Sequence, residues 1–357
     1  MRHDPHALLA RLLDAPGPSG FERAPAAVWR EAAAFADDVA VDVSGNSRAT
    51  LRPPGGAEIP AVMFAGHIDE IGVMLVHVDD DGYCWFDVIG GWDSQVFVGQ
   101  RVTLLGRHGP VAGVIGKQAI HLMDQAARDK LSKVHDLWID IGATSRAQAL
   151  EQVAVGTAGV LAATMARFPN DRIVSRSLDN RIGAHVVLEA LRLLAGDRAR
   201  VPVTAVATTQ EEIAYSGGGA RTSASALRPA AAIVVDVTHA TDSPGIEKKR
   251  HGDVRLGGGP VISRGAAVNP VIADRLAAVA EAEGIALQWQ AAPRVTGTDA
   301  DAIFTAHRGI ATALVSVPLR YMHSPSEMAA WADIDAAARL LAAFARSVVP
   351  GEEFLPG

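Results

Sequence analysis

Seven residues of this chain have types and positions from which a reaction could be built: His67, Asp69, Asp179, Glu211, Glu212, Asp236 and His323. Six of them gather at the ends of apolar, strand-like runs. His67 and Asp69 follow a run ending at Phe64, and Glu211 and Glu212 follow one ending at Thr208. Asp236 closes another run, His323 lies beyond a strand that starts near Ala311, and Asp179 opens a helical stretch. In an open α/β sheet, ligands bind outside the carboxyl ends of the strands, so chain order would bring these groups to one rim. Taken singly, each has an ordinary explanation. A histidine can be a hydrogen-bonded structural residue, paired glutamates can sit on a solvated surface, and Asp179 can cap its helix. His323 can cap a turn, but Asp236 interrupts a β-branched run, where an unpaired carboxylate costs several kcal/mol. Two histidines and three carboxylates, with no sulfur, suit zinc, cobalt or manganese. Five ligands exceed one closed tetrahedral site. With one carboxylate shared, they suit two ions ~3.5–4 Å apart, the arrangement of a dinuclear hydrolase.

The elements that must position these groups are legible as alternating textures. Residues 5–13 and 21–35 have apolar side chains at helical spacing, broken by Pro16-Gly17-Pro18-Ser19-Gly20. Residues 59–64 read as a short buried strand. From about residue 73 the chain becomes β-rich, with runs at 73–78, 83–89, 96–105 and 111–115 punctuated by turn signals such as Asp79-Asp80-Asp81-Gly82. The texture then reverts, with helices expected at 178–194, 271–283 and 334–348 and strands at 201–208, 231–237 and 311–317. The reading is an α/β protein with a mostly parallel mixed sheet and helices on both faces, plus an inserted β-rich, barrel-like domain. The expected domains are a discontinuous catalytic unit, 1–73 and 163–357, and an insert at 74–162.

Composition narrows the function. Of 357 residues, 49% are apolar and 20% charged, enough for a sizeable core. A net charge of −7 without a basic block argues against nucleic acid. The single cysteine, Cys84, excludes an internal disulfide framework and is expected to be buried and inert. Neither a secretory leader nor an apolar run of ~18 residues is recognisable, so the expectation is a soluble cytoplasmic protein with no membrane partner.

Six segments together resemble the co-catalytic metallopeptidases that include the glutamyl aminopeptidases and the tetrahedral (TET) aminopeptidases. They are AGHIDEIGVM at 65–74, SLDNRIGA at 177–184, QEE at 210–212, VDVTHATDSPG at 235–245, GTDA at 297–300 and VPLRYMHSPSEM at 317–328. IDIGATSRAQA at 139–149 resembles a stretch of that family's inserted module. The resemblance implies that Asp179 bridges two divalent metal ions, zinc first and cobalt or manganese as alternatives. His67 and Asp236 would complete one site, and Glu212 and His323 the other. Glu211 would be the general base, with Asp69 orienting His67. The implied activity is removal of N-terminal residues from peptides by a metal-activated water.

The resemblance further implies that the insert mediates subunit contacts, building a homo-oligomer of twelve chains or, failing that, a dimer. His121 in the insert could then line a neighbouring subunit's site, while His77, His108, His135 and His251 read as surface residues. One departure stands out: the loop Ile213-Ala214-Tyr215-Ser216-Gly217-Gly218-Gly219 is about two residues longer than in the family and borders the site. A second enzyme reading is an N-acyl amino acid deacylase or amidase. A non-catalytic assembly protein is weaker, since every ligand and the base are present. Glycoside hydrolysis needs two carboxylates flanking a sugar and is disfavoured.

Overall fold

The computed structural model describes residues 4–55, 62–213 and 217–356. Four parallel strands form the centre of an eight-stranded sheet, in the spatial order Val203–Thr208, Val62–His67, Ala231–His239, Ala311–Leu319. Antiparallel additions flank them. Asp38–Val41 and Ser47–Leu51 extend one edge, and Val261–Gly265 with Gln288–Ala292 the other. Val62–His67 and Val203–Thr208 are buried at every position, which is why they read as unbroken apolar runs instead of alternating ones.

The alternation of side chains sends successive residues to opposite layers. Phe64, Ile233 and Val235 pack with the helices Pro5–Asp14, Arg23–Ala32, Leu178–Gly196, Pro270–Ala282 and Trp331–Ser347. Met63, Ala65, Ala232 and Val234 face Gly218–Leu227 and Asp299–Phe304. The mostly parallel mixed sheet with helices on both faces is therefore present.

Between the strand Val62–His67 and the helix Leu178–Gly196 of that layer structure, the chain forms a closed six-stranded barrel. Its strands, in order around it, are Gly72–Val78, Cys84–Ile89, Trp138–Asp140, Gly109–Gly116, Arg101–Gly106 and Ala158–Leu161. The barrel has its own core, built on Val73, Leu75, Phe86, Phe97, Leu104, Ile115 and Ile139. Cys84 lies in it, and burial first, then Asp79 and Asp140, pushes its thiol up to about 11, so it carries no thiolate at neutral pH.

Some elements differ from the expectation. The run at 96–105 divides into a 3-10 turn, Ser94–Val96, and the strand Arg101–Gly106, separated by Gly99 at φ 81°. The expected strand at 59–64 starts, in its described part, at Val62 and runs on through His67; residues 59–61 lie outside the described residues, as do 214–216 of the loop expected to be longer than the family's. A small sheet of Ala166–Phe168, Arg172–Ser175 and Glu327–Ala330 joins the start of the long helix to the segment carrying His323.

Candidate active site

His67 is the last residue of its strand, and Asp236 lies inside Ala231–His239, six positions along. Because both strands are central and parallel, their carboxyl ends present the two side chains to one cleft. Asp179 reaches it from the first turn of Leu178–Gly196, where Asp179 and Asn180 depart from helical geometry (φ −79°, ψ 106° and φ −126°, ψ 40°). Asn180 fixes that turn, donating its amide to the Val235 carbonyl (2.8 Å) and accepting from the Gly183 N–H (2.9 Å). The residue after Asp179 is thus tied to the strand position that precedes Asp236.

The cleft encloses about 820 Å³ and is lined by His67, Asp179, Glu211, Glu212, Asp236 and His323, among others. Asp179 faces two ways: Oδ1 is 3.2 Å from His67 Nε2, and Oδ2 is 3.5 Å from His323 Nε2. Asp236 Oδ1 lies 3.8 Å from His67 Nε2, and Glu212 Oε2 lies 3.2 Å from His323 Nε2. Two triads result, His67–Asp179–Asp236 and Asp179–Glu212–His323, each compact enough to surround one cation. Glu211 stands beside the first, its Oε2 3.8 Å from His67 Nε2.

All seven residues singled out in the sequence meet here. Asp69, fully buried, lies 3.3 Å from His67 Nδ1 and so faces the ring edge opposite the cleft. The same carboxylate accepts the backbone N–H of Glu211 (3.2 Å) and of Glu212 (3.1 Å).

Electrostatics show what the cluster lacks. Burial, reinforced by Asp236, Asp299 and Glu212 against the pull of His67, pushes the Glu211 carboxyl up to about 10. Burial and Asp179 push Glu212 to about 7, and burial holds Asp236 well above the carboxylate range. The histidines move the other way: against burial, Asp179 and Glu212 lift His323 to about 11, and Glu211, Asp179 and Asp69 raise His67. Crowded carboxylates in a buried site call for positive charge, and protons on the histidines are one source of it. Divalent cations are another, and they bind deprotonated ligands in place of those protons. Glu212 Oε1 is buried with no hydrogen-bond partner among the described residues, as suits an oxygen placed for a cation. The oxygen and nitrogen donors fit zinc, cobalt or manganese.

Several residues at the site escaped the sequence reading. Ser19 donates to Asp69 (2.6 Å), and Glu22 accepts the N–H of Gln210 (3.2 Å), the residue before Glu211, which holds φ 59°. The Pro16–Gly20 stretch, read only as a helix breaker, therefore braces the glutamate pair. Asp299 is buried beside the cleft and accepts from Thr208 Oγ1 (2.5 Å). Burial first, against His67 and Thr208, pushes its carboxyl to about 6. It lies in the GTDA segment, which the sequence marked without giving it a task. His239, three residues beyond Asp236 on the same strand, lines the same cleft.

The M42 glutamyl aminopeptidase family model matches residues 45–340, and the chain belongs to that family. It is 35% identical to the lysyl aminopeptidase of Pyrococcus furiosus over 350 residues, 96% of this chain and 97% of that one. Among solved structures it is similar to the TET aminopeptidase of a marine-sediment Thaumarchaeota archaeon, with TM-score 0.90 and 32% identity over 97% of this chain and 96% of that one. It is also similar to the TET1 peptidase of Pyrococcus horikoshii, described as assembling into a tetrahedron or a large octahedral shell. That match has TM-score 0.85 and 30% identity over 97% of this chain and all of the other. The chain is a peptide hydrolase of the aminopeptidase class. Among the described residues, no helix is long and apolar enough to cross a membrane.

Proposed function

We propose that this chain is a metal-dependent aminopeptidase holding two divalent ions per subunit, zinc first among the candidates, and that it removes N-terminal residues from peptides. One observation carries the reading: the two oxygens of Asp179 face different histidines, so that a single carboxylate belongs to both triads. His67 and Asp236 would complete one site, and Glu212 and His323 the other. Bound there, the ions would acidify water and polarise the scissile carbonyl.

The chain's own groups do the rest. Glu211, lining the cleft but outside both triads, would be held ionised by the charge of the bound ions; its carboxylate takes the proton of the attacking water and returns it to the leaving amine. Asp69 keeps the His67 ring oriented and, through the two N–H groups it accepts, fixes where Glu211 and Glu212 begin.

The barrel segment 74–162 is proposed as an oligomerisation domain and 1–73 with 163–357 as the catalytic domain, the chains assembling as a dodecamer or, failing that, a dimer. A single cysteine suits the reducing cytoplasm as the place of work. The test is turnover of amino-acid p-nitroanilides, free or N-acetylated, by chelator-stripped protein with zinc, cobalt or manganese restored. The expected result is cleavage of free-amine substrates alone, abolished by stripping and restored by the ions. Full turnover without ions, or cleavage confined to N-blocked substrates, would contradict the proposal.

A further inference from the structure

Glu327 is 2% exposed, and among the described residues no cation pairs with it. A carboxylate taken out of water in this way must be compensated by hydrogen bonds. Both of its oxygens are committed, and both to backbone amides of residues in the candidate ion sites. Oε2 accepts the N–H of Asp179 (3.0 Å), and Oε1 accepts the N–H of His323 (2.8 Å). One partner is 148 residues away and the other four, so a single side chain joins two otherwise separate segments.

The local fold delivers it there. Glu327 opens a short strand and pairs with Ser175 of Arg172–Ser175, the strand that leads into Asp179. On its other side, Arg320 and Met328 exchange backbone hydrogen bonds (2.9 and 3.0 Å), pinching 320–328 into a closed loop. His323 stands on that loop in the left-handed region, φ 59°, a conformation that a non-glycine residue keeps only where its surroundings hold it. Glu327 supplies that hold from inside the loop.

We infer that Glu327 is a positioning residue that sets the spacing between the bridging Asp179 and His323, and with it the affinity of the second ion. The inference rests on the two-ion reading above. It also makes the two sites unequal. The Asp179–Glu212–His323 site has two of its ligands tied to Glu327, whereas the His67–Asp179–Asp236 site has only the shared one. A glutamine cannot replace the carboxylate, because an amide offers one acceptor oxygen, and its NH₂ would face the second N–H.

The experiment is zinc titration of the stripped full-length protein against a competing chelator, with the melting temperature of the stripped form recorded in parallel. Wild type is expected to take up two ions. Glu327→Gln is expected to keep the first within a fewfold and to bind the second about 10–100-fold more weakly. If Glu327→Gln does not fold, Glu327→Asp, whose carboxylate stops one methylene short, is titrated in its place and must show the same ordered loss. Two ions bound with wild-type affinity would overturn the inference. Equal weakening of both ions would also overturn it, leaving Glu327 a purely structural residue. A wild-type chain that takes up no zinc would instead overturn the two-ion reading, and the role of Glu327 with it.

Discussion

Asp69 shows how much one buried carboxylate can organise. Its partners are the His67 ring, the Ser19 hydroxyl and the backbone N–H groups of Glu211 and Glu212. Against the cost of burial, His67, Ser19 and Glu212 hold it below the ordinary carboxylate range, so it stays an acceptor. Glu211 is then free of structural duty, since its placement comes through its backbone. Glu211→Gln should therefore keep both ions while turnover falls by about 10²–10⁴, the usual contribution of a general base. Metal analysis alongside kcat checks this, and loss of an ion would transfer the role of base to Glu212. The reacting groups were legible in the sequence because histidines and carboxylates at strand ends have few other reasons to recur. Their supports were not. Ser19 acts on a residue 50 positions away and Glu22 on one 188 away, and no short-range pattern encodes such contacts. Glu327 looked like part of a motif because nothing local distinguishes a buried acceptor from a turn residue.

Secondary-structure elements must come unusually close for the site to close. A Cβ on Gly66, the residue before His67, would lie 2.4 Å from the Gly183 carbonyl carbon of the Leu178–Gly196 helix. The strand bearing His67 and the helix bearing Asp179 can touch only because glycine occupies Gly66. Gly66→Ala should thus push the two ligands apart. It is expected to destabilise the fold by roughly 1–3 kcal/mol, the range for overpacked interiors, and to lower metal content as well. Denaturant unfolding of stripped protein and metal analysis measure the two effects separately.

A second element-scale prediction concerns the sheet edge. Arg198 and the Arg52 N–H hold the Asp37 carboxyl down at about 2. A depressed carboxylate stabilises the fold above its unfolded value and loses that contribution as pH falls toward its folded value. The stability gap between wild type and Asp37→Asn, roughly 0.2–1 kcal/mol for a surface pair, should be full at pH 6 and narrow between about pH 5 and 3. A gap constant across that range would show that the ion pair contributes nothing. The central strands were readable because burial on both faces leaves an apolar run. The edge strand Asp38–Val41 and its neighbour Ser47–Leu51 were not, since short strands carrying Asp, Ser and Arg look like loops.

The whole molecule leaves apolar side chains in water on its barrel. Leu122 and Leu131 are each 74% exposed and Ile120 is 57% exposed, with His121 exposed among them. Such a group favours burial against another copy. Light scattering on the eluting protein should give about twelve times the 37.3 kDa chain mass, or twice it if only dimers persist. A single-chain mass at micromolar concentration would leave the barrel as a lid on its own active site. A two-ion site requires that Asp179 be shared, and anomalous X-ray scattering from crystals grown with zinc tests that most directly. The predicted result is two peaks ~3.5–4 Å apart with the Asp179 carboxylate between them. A single peak in the cleft, or a pair without Asp179 between its members, would contradict it.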